Sequence, residues 1–243
     1  MSSRSGDELI ELLLSGSADP DEEGKAANDL LAQVQGGYPA RNLSRLIHSD
    51  SDRAVNSAAF VVSELGSGAA EVIDEVGFLL GHPSRNARYD ALDAALAGAS
   101  GEHGAVLAKA VMLLDDPDQA VRKKAIKFLA NARPDQLAAA TPYLADRSVA
   151  DLVTWLAYDG SDPASLPDIR SRLRAPGKRT RMVAAAAAAR VAETSRQGIE
   201  EAALSDDPEI RSFADNVIEI LDLREEIRAR QEQRKRDRPT PGS

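Results

Sequence analysis

The sequence contains no cysteine, and aromatic residues make up only 4% of its 243 residues. Without cysteine the chain forms no disulfide, no thiolate metal site and no cysteine nucleophile, a composition typical of a reducing cytoplasm. Strands favour aromatic and β-branched residues, whereas alanine is the best helix former. An Ala- and Leu-rich chain with so few aromatics therefore predicts closely packed helices.

Long apolar runs are also missing. No stretch approaches the roughly 18 apolar residues of a membrane span. The N-terminal residues place only a few apolar side chains between acidic ones, so they do not resemble a secretory signal. We expect a soluble, cytoplasmic protein with no membrane partner.

Positive charge is in deficit. The formal net charge is −9, which argues against a nucleic-acid binder held by phosphate contacts. The deficit is uneven, because residues 1–100 carry 16 acidic and 7 basic residues, whereas residues 101–200 carry 12 and 15. One end of the molecule is thus expected to meet a basic partner surface and the middle an acidic one. The alternative is that surface charge varies without function.

What the sequence does have is a repeat. A short Asp/Pro turn, a Val-Arg-like step and an alanine opening an apolar helix recur seven times, most clearly over Asp115–Leu129. Consecutive copies are 32, 32, 34, 28, 31 and 30 residues apart. A period in this range indicates a solenoid, in which each unit buries its apolar face against its neighbours. The aligned anchor pairs are Glu23/Ala27, Val55/Ala59, Ala87/Ala91, Val121/Ala125, Val149/Val153, Thr180/Ala184 and Ile210/Ala214.

Each unit is predicted to form two helices, A and then B, with helix B starting at the anchor. Residues 1–6 are expected to be a disordered N-terminus, 7–222 the solenoid, and 223–243 a charged helix extension followed by a disordered tail. On helix B, anchor positions 0, +4, +7, +8 and +11 share one side at about 100° per residue and should be core. In the clearest copy these are Val121, Ala125, Phe128, Leu129 and Ala132.

The pattern resembles the HEAT-repeat proteins, most closely the short HEAT-like repeats of phycobilin lyases. The resemblance covers residues 7–222 and depends on Asp-Pro turns such as Asp116-Pro117 and on the steps Val121-Arg122 and Ile210-Arg211. It implies an all-α, right-handed α-solenoid of about seven HEAT-like helix pairs, in a superfamily that mostly binds proteins. The departures, where another residue replaces the usual arginine, are Gly24, Asn56 and Ala150.

The arginine of this step recurs as Arg88, Arg122, Arg181 and Arg211. In the resembling family such arginines usually pair with acidic residues of adjacent turns, which here would be Asp118, Asp146 and Glu209. An internal ion-pair ladder is therefore the first expectation. A basic ladder that binds phosphate or an acidic peptide is the alternative.

Residue patterns for catalysis or metal binding are scarce. The histidines lie near predicted turns, and no His-Glu-x-x-His spacing, phosphate loop or nucleophile elbow occurs. Acidic clusters lack the ligand spacing of an EF-hand and suit helix N-termini instead. A HEAT-like DNA glycosylase would need a basic cleft with aromatics and a carboxylate facing a flipped base. We predict no enzyme, no cofactor and no metal.

One helix B has an unusual outer face. Positions +2, +6 and +9 lie opposite the core, and the Val149 copy places Asp151, Trp155 and Tyr158 there. Trp and Tyr among charges at the centre of a concave surface are typical of a binding hot spot. The alternative is that the 28-residue spacing rotates this helix and buries Trp155. Earlier units contribute Tyr89, Asp93, Lys123 and Lys127 to the same outer columns.

These features together predict a non-catalytic protein-binding module that captures a partner in its concave groove. Within that class the sequence favours an adaptor or inhibitor, including a bacterial immunity protein against a basic toxin domain facing residues 1–100. The alternative is a lyase- or chaperone-like factor that holds a cofactor or client during attachment. A HEAT-like DNA-binding protein or glycosylase is the third hypothesis.

Overall fold

The chain is all-helical over the residues that the structure describes. The computed structural model describes residues 4–236, and this part contains fourteen α-helices and no strand, consistent with an α-solenoid or another helical repeat. The helices are α1 (Gly6–Ser15), α2 (Pro20–Gln35), α3 (Ser44–Ile47), α4 (Asp52–Glu64), α5 (Ile73–Leu79), α6 (Arg85–Gly98), α7 (Gly104–Met112), α8 (Gln119–Asn131), α9 (Pro134–Ala140), α10 (Arg147–Tyr158), α11 (Leu166–Leu173), α12 (Lys178–Val191), α13 (Gln197–Ala203) and α14 (Pro208–Arg236). Short 3-10 segments adjoin several of them at Ala40–Leu43, Gly66–Val72, Leu113–Asp115, Thr141–Tyr143 and Pro163–Ser165.

The even-numbered helices from α2 to α14 each contain one predicted anchor and begin two or three residues ahead of it. Acidic or hydroxyl side chains in several turns start these helices by accepting hydrogen bonds from first-turn amides. These N-caps are Asp19, Ser51, Asp118 and Asp146. The predicted core of this repeat is confirmed, because its four residues on α8 and Ala132 just after the helix are each no more than 2% exposed.

The stacking of these helices changes after α8. α2, α4, α6 and α8 pack in sequence, but α8 then packs against α12 and α14, whereas α10 lies against α9 and α12. Lys123 of α8 donates to the Ser212 hydroxyl at 3.2 Å across 89 residues of sequence. In a regular solenoid each unit contacts only its neighbours. The last units therefore fold back onto α8, and α10 is displaced from the row.

Three of the four recurrent arginines form an internal ladder, whereas the fourth, Arg211, donates to the Ser205 carbonyl and pairs with no carboxylate among the described residues. Arg88, Arg122 and Arg181 each bind a carboxylate through Nε and donate from Nη1 to two backbone carbonyls of the preceding turn. The carboxylates are Asp116, Glu209 and Asp207 respectively. Of the three carboxylates expected to pair with these arginines, only Glu209 does so, because Asp118 pairs with Arg85 and Asp146 with Arg179.

Both ends of the described chain refine the predicted boundaries. Residues 4–6, assigned to a disordered N-terminus, belong to the structure, since Ser5 caps α1 in a capping box with Glu8 and Gly6 is the first helical residue. The expected helical extension is present to Arg236 as part of α14, and its residues 222–234 are all exposed. Residues 1–3 and the tail 237–243 lie outside the described residues. No helix among the described residues combines the length and apolar character needed to cross a bilayer.

Candidate functional site

A groove of about 480 Å³ lies where α8, α12 and α14 converge, with Tyr89 of α6 at one side. We call it the basic groove. Its apolar floor comes mainly from α14, which presents Phe213, Val217, Ile220 and Leu221 at helical spacing. Ile220 is 51% exposed, a large apolar side chain left uncovered inside a concavity.

The rim of the basic groove is cationic. Its lining includes five basic side chains and one acidic one, Glu193, in a chain whose formal net charge is −9. Three of the cations are consecutive or one turn apart on α8, and α12 and α14 add one each. They are Lys123, Lys124, Lys127, Arg190 and Arg224.

Two of these cations are neutralised internally. The Lys124 ammonium binds the Asp93 carboxylate and lies 4.4 Å from the centre of the Tyr89 ring, a cation–π contact. Arg224 pairs with Glu193 at 2.5 Å. Lys124 is thereby fixed against the wall of the groove and is 8% exposed.

Arg190 connects α12 to the C-terminal end of α8. Its guanidinium donates to the Leu129 carbonyl at 2.7 and 3.1 Å, to the Ala132 carbonyl, and to the Ser161 hydroxyl at 3.1 Å. Carbonyls at a helix C-terminus carry partial negative charge, so they favour a cation there. No carboxylate among the described residues pairs with Arg190, and burial lowers its pKa to about 10.

The neighbouring part of the concave face is acidic. Burial raises the pKa of Asp90 on α6 to about 6, against the opposing effect of the Lys124 charge and with smaller contributions from Asp93 and Glu64. Asp90 and Asp93 of α6 thus lie beside Lys124 of α8, and Glu64 of α4 lies near Asp90.

The predicted site residues divide between two surfaces. Tyr89, Lys123 and Lys127 line the basic groove, and Asp93 adjoins it through Lys124. Asp151 instead lines a separate cleft of about 690 Å³ with Arg172 and Lys178. Tyr158 is exposed but lies on α10, outside the row formed by α8, α12 and α14.

The placement of Trp155 in an exposed column is wrong. Its side chain is 9% exposed and belongs to the hydrophobic core, with the Arg172 guanidinium 4.2 Å from the ring centre. Because α10 packs against α9 and α12 rather than in the row, more of its circumference is covered than the repeat pattern allows. The structure thus corresponds to the buried alternative.

Several groove residues were not identified from the sequence. Lys124, Arg190, Phe213, Ile220 and Arg224 become neighbours only because α14 and α12 return to α8. Val217 and Leu221 occupy the predicted core positions +7 and +11 of the last repeat; Leu221 belongs to the hydrophobic core and Val217 packs against it, so both line the groove from its floor. No local signal marks a contact between units that are not consecutive.

The described residues contain no group of three or more His, Asp or Glu side chains arranged to hold a metal ion. His48 and His82, in successive turns, flank the Phe78 ring at 4.8 and 5.9 Å. His48 also contacts the Glu75 carboxylate at 2.6 Å. These contacts connect successive units on a surface away from the basic groove.

Comparison with known proteins assigns no family. No family model and no curated protein matches the chain. Two crystal structures of engineered proteins from the Northeast Structural Genomics Consortium are similar. The first is 18% identical with a TM-score of 0.48, over 88% of this chain and 95% of that one. The second is 17% identical with a TM-score of 0.40, over 89% and 71%. Both TM-scores are below 0.5, so neither similarity bears on family or function.

Proposed function

We propose that the protein is a non-catalytic protein-binding module that acts in the cytoplasm and captures a partner in the basic groove. The observation that supports this most directly is the groove itself, a preformed concavity with an apolar floor and convergent polar side chains. Ile220 at its floor and Tyr89 at its wall are side chains of the kind that anchor interfaces. The helices that hold them pack tightly, so little ordering is required on binding.

The finer architecture belongs to the same proposal. We infer a right-handed solenoid of about seven HEAT-like helix pairs, and hence membership of the HEAT-like superfamily. The anchor in each even-numbered helix and the arginine ladder support this inference. Within the class, capture in the cationic groove favours an adaptor whose partner presents acidic groups, whereas an immunity protein would meet a basic toxin surface through the acidic residues 1–100 instead.

The proposal is tested by placing a charge on the groove floor. Ile220→Glu changes an exposed side chain, so the fold is expected to survive, but a carboxylate would replace the apolar anchor. The matched control is Leu204→Glu, because Leu204 is 84% exposed and lies outside the groove. Affinity capture from native lysate should yield a partner that wild type and Leu204→Glu retain and Ile220→Glu loses. Equal capture by all three folded proteins would refute the groove as the binding site.

A further inference from the structure

Three of the five groove cations have no acidic partner within the described residues. Lys123 is held only by the neutral Ser212 hydroxyl, and Arg190 only by backbone carbonyls and a hydroxyl. Lys127 is exposed, and no carboxylate lies within ion-pair distance of it. Bringing three like charges together on a concave surface destabilises the free protein.

Partly buried arginines elsewhere in the molecule are paired with carboxylates. Arg88, Arg122 and Arg181, which hold the turns together, each have a carboxylate within 2.9 Å. The partly buried guanidinium of Arg190 has none, although burial of an unpaired charge is costly. The exception lies in the lining of the basic groove, where an external carboxylate would supply the missing counter-charge.

We propose that the occupant of the basic groove is an acidic polypeptide segment with an apolar side chain, its carboxylates facing Lys123, Lys127 and Arg190. The apolar side chain would cover Ile220 and Val217, which the groove leaves accessible between the cations. This inference rests on the proposed function and specifies the chemistry of the partner. Both features of the groove are used, the charge of the rim and the apolar floor.

A short segment fits the charge pattern better than a long polyanion. Asp90 and Asp93 on α6 adjoin the cations, and Glu64 on α4 lies near Asp90, so a nucleic acid extending past the groove would meet a repulsive surface. A phosphate backbone also makes no use of an apolar floor. A peptide with a few carboxylates can end before it reaches the acidic helices.

The experiment selects random phage-displayed peptides against the full-length protein and measures the enriched peptides by fluorescence anisotropy. The test variant is Lys123→Gln/Lys127→Gln, and the matched control is Lys25→Gln/Arg41→Gln, which removes two exposed charges outside the groove. We expect net-acidic peptides with an apolar residue. The test variant should weaken them about tenfold, as for two partly exposed ion pairs, and the control should not.

Other outcomes would overturn the inference in distinguishable ways. Neutral or basic peptides that are lost on Ile220→Glu would refute the acidic occupant and leave the proposed function standing. Absence of any peptide sensitive to the Lys or Ile220 variants would refute both. Tighter binding of an oligothymidylate that depends on Lys123 and Lys127 would identify a nucleic-acid site instead.

Discussion

The buried ion pair that closes the molecule offers the sharpest test of its architecture. Glu209, the second residue of α14, is 1% exposed and lies between Arg122 of α8 and Lys178 of α12. Arg122 Nε donates to its carboxylate at 2.8 Å across 87 residues of sequence. Glu209→Gln removes the negative charge and keeps the shape, so it separates the electrostatic contribution from packing.

The expected decrease in the free energy of unfolding of Glu209→Gln is large for a single substitution. Removing one partner of a buried ion pair costs about 3–5 kcal/mol, because the other charge remains buried without compensation. Arg122 keeps its hydrogen bonds to the carbonyls of Asp116 and Pro117, and Lys178 is 42% exposed and can be solvated. We therefore expect the lower end, about 3 kcal/mol. For a chain of this length that corresponds to a melting temperature lower by roughly 6–12 °C.

Circular dichroism gives the melting temperature, and hydrogen exchange shows where the protein opens. Protection should fall in α14, α12 and the first turn of α8, and should remain in α2 and α4, which do not contact the pair. The control is Glu226→Gln, which breaks an exposed pair with Arg230 on the same helix and should leave stability unchanged. Unchanged melting of Glu209→Gln, or equal opening of α2, would refute the closing role of this pair.

The same pair predicts a pH dependence. Burial acts to raise the pKa of Glu209, but hydrogen bonds from Lys178 and Arg122 outweigh it and hold the pKa below the ordinary 4.5. A carboxyl with a lowered pKa contributes stability that is complete above its unfolded pKa and is lost as the pH falls through its folded pKa. The stability difference between wild type and Glu209→Gln should therefore be greatest at neutral pH and should close below pH 4.5. A difference that stayed constant into acid would show that charge is not its cause.

Three further predictions concern other parts of the fold. Trp155→Ala should destabilise the protein by about 3–5 kcal/mol, and the sole tryptophan should emit at short wavelength with weak acrylamide quenching; strong quenching would place it on the surface. Gly104→Ala would put a Cβ 2.3 Å from the Ala139 carbonyl oxygen and should cost about 1–3 kcal/mol in urea unfolding. Gly24→Ala would place its Cβ with nothing within 4 Å, so this variant should gain about 0.5–1 kcal/mol of folding stability. A Gly24→Ala variant less stable than Gly104→Ala would contradict the packing. Asp90→Asn should stabilise the folded protein by up to about 2 kcal/mol at neutral pH. The pKa of Asp90 is raised to about 6 from 3.8, so its ionised carboxylate destabilises the folded state at neutral pH, and the uncharged amide removes that cost. That gain should vanish as the pH falls from 6 to 3.8, and a gain independent of pH would rule out the carboxylate as its source.

Local features of the fold could be predicted because each repeat carries its own signals. The Asp/Ser caps, the turn prolines and the apolar spacing all act within one unit or between neighbours, so the period of the sequence contains them. This is why the anchor helices and the core of α8, from Val121 to Leu129, agree with the structure. The internal ladder was predictable in kind for the same reason.

The candidate site was less predictable because it depends on contacts that the repeat does not encode. Arg122 and Glu209 belong to units that are not consecutive, and nothing near either residue specifies the other. The columns of the ideal repeat placed Lys123, Lys127 and Trp155 on one surface. The displacement of α10 separates them, burying Trp155 and leaving the lysines in the groove. Only the shortened spacing of 28 residues before Val149 indicated that this unit departs from the others.

The same closure that stabilises the C-terminal units also creates the basic groove. If α10 followed α8 in the row, α14 would lie several helices away, and its apolar face would have no cationic rim. Because α14 returns to α8, Phe213 and Ile220 lie opposite Lys123 and Lys127, and the Glu209 pair holds them there. Binding and stability are therefore coupled through α14. An occupant that bridges the lysines of α8 and the floor on α14 should raise the melting temperature of wild type and restore part of what Glu209→Gln loses.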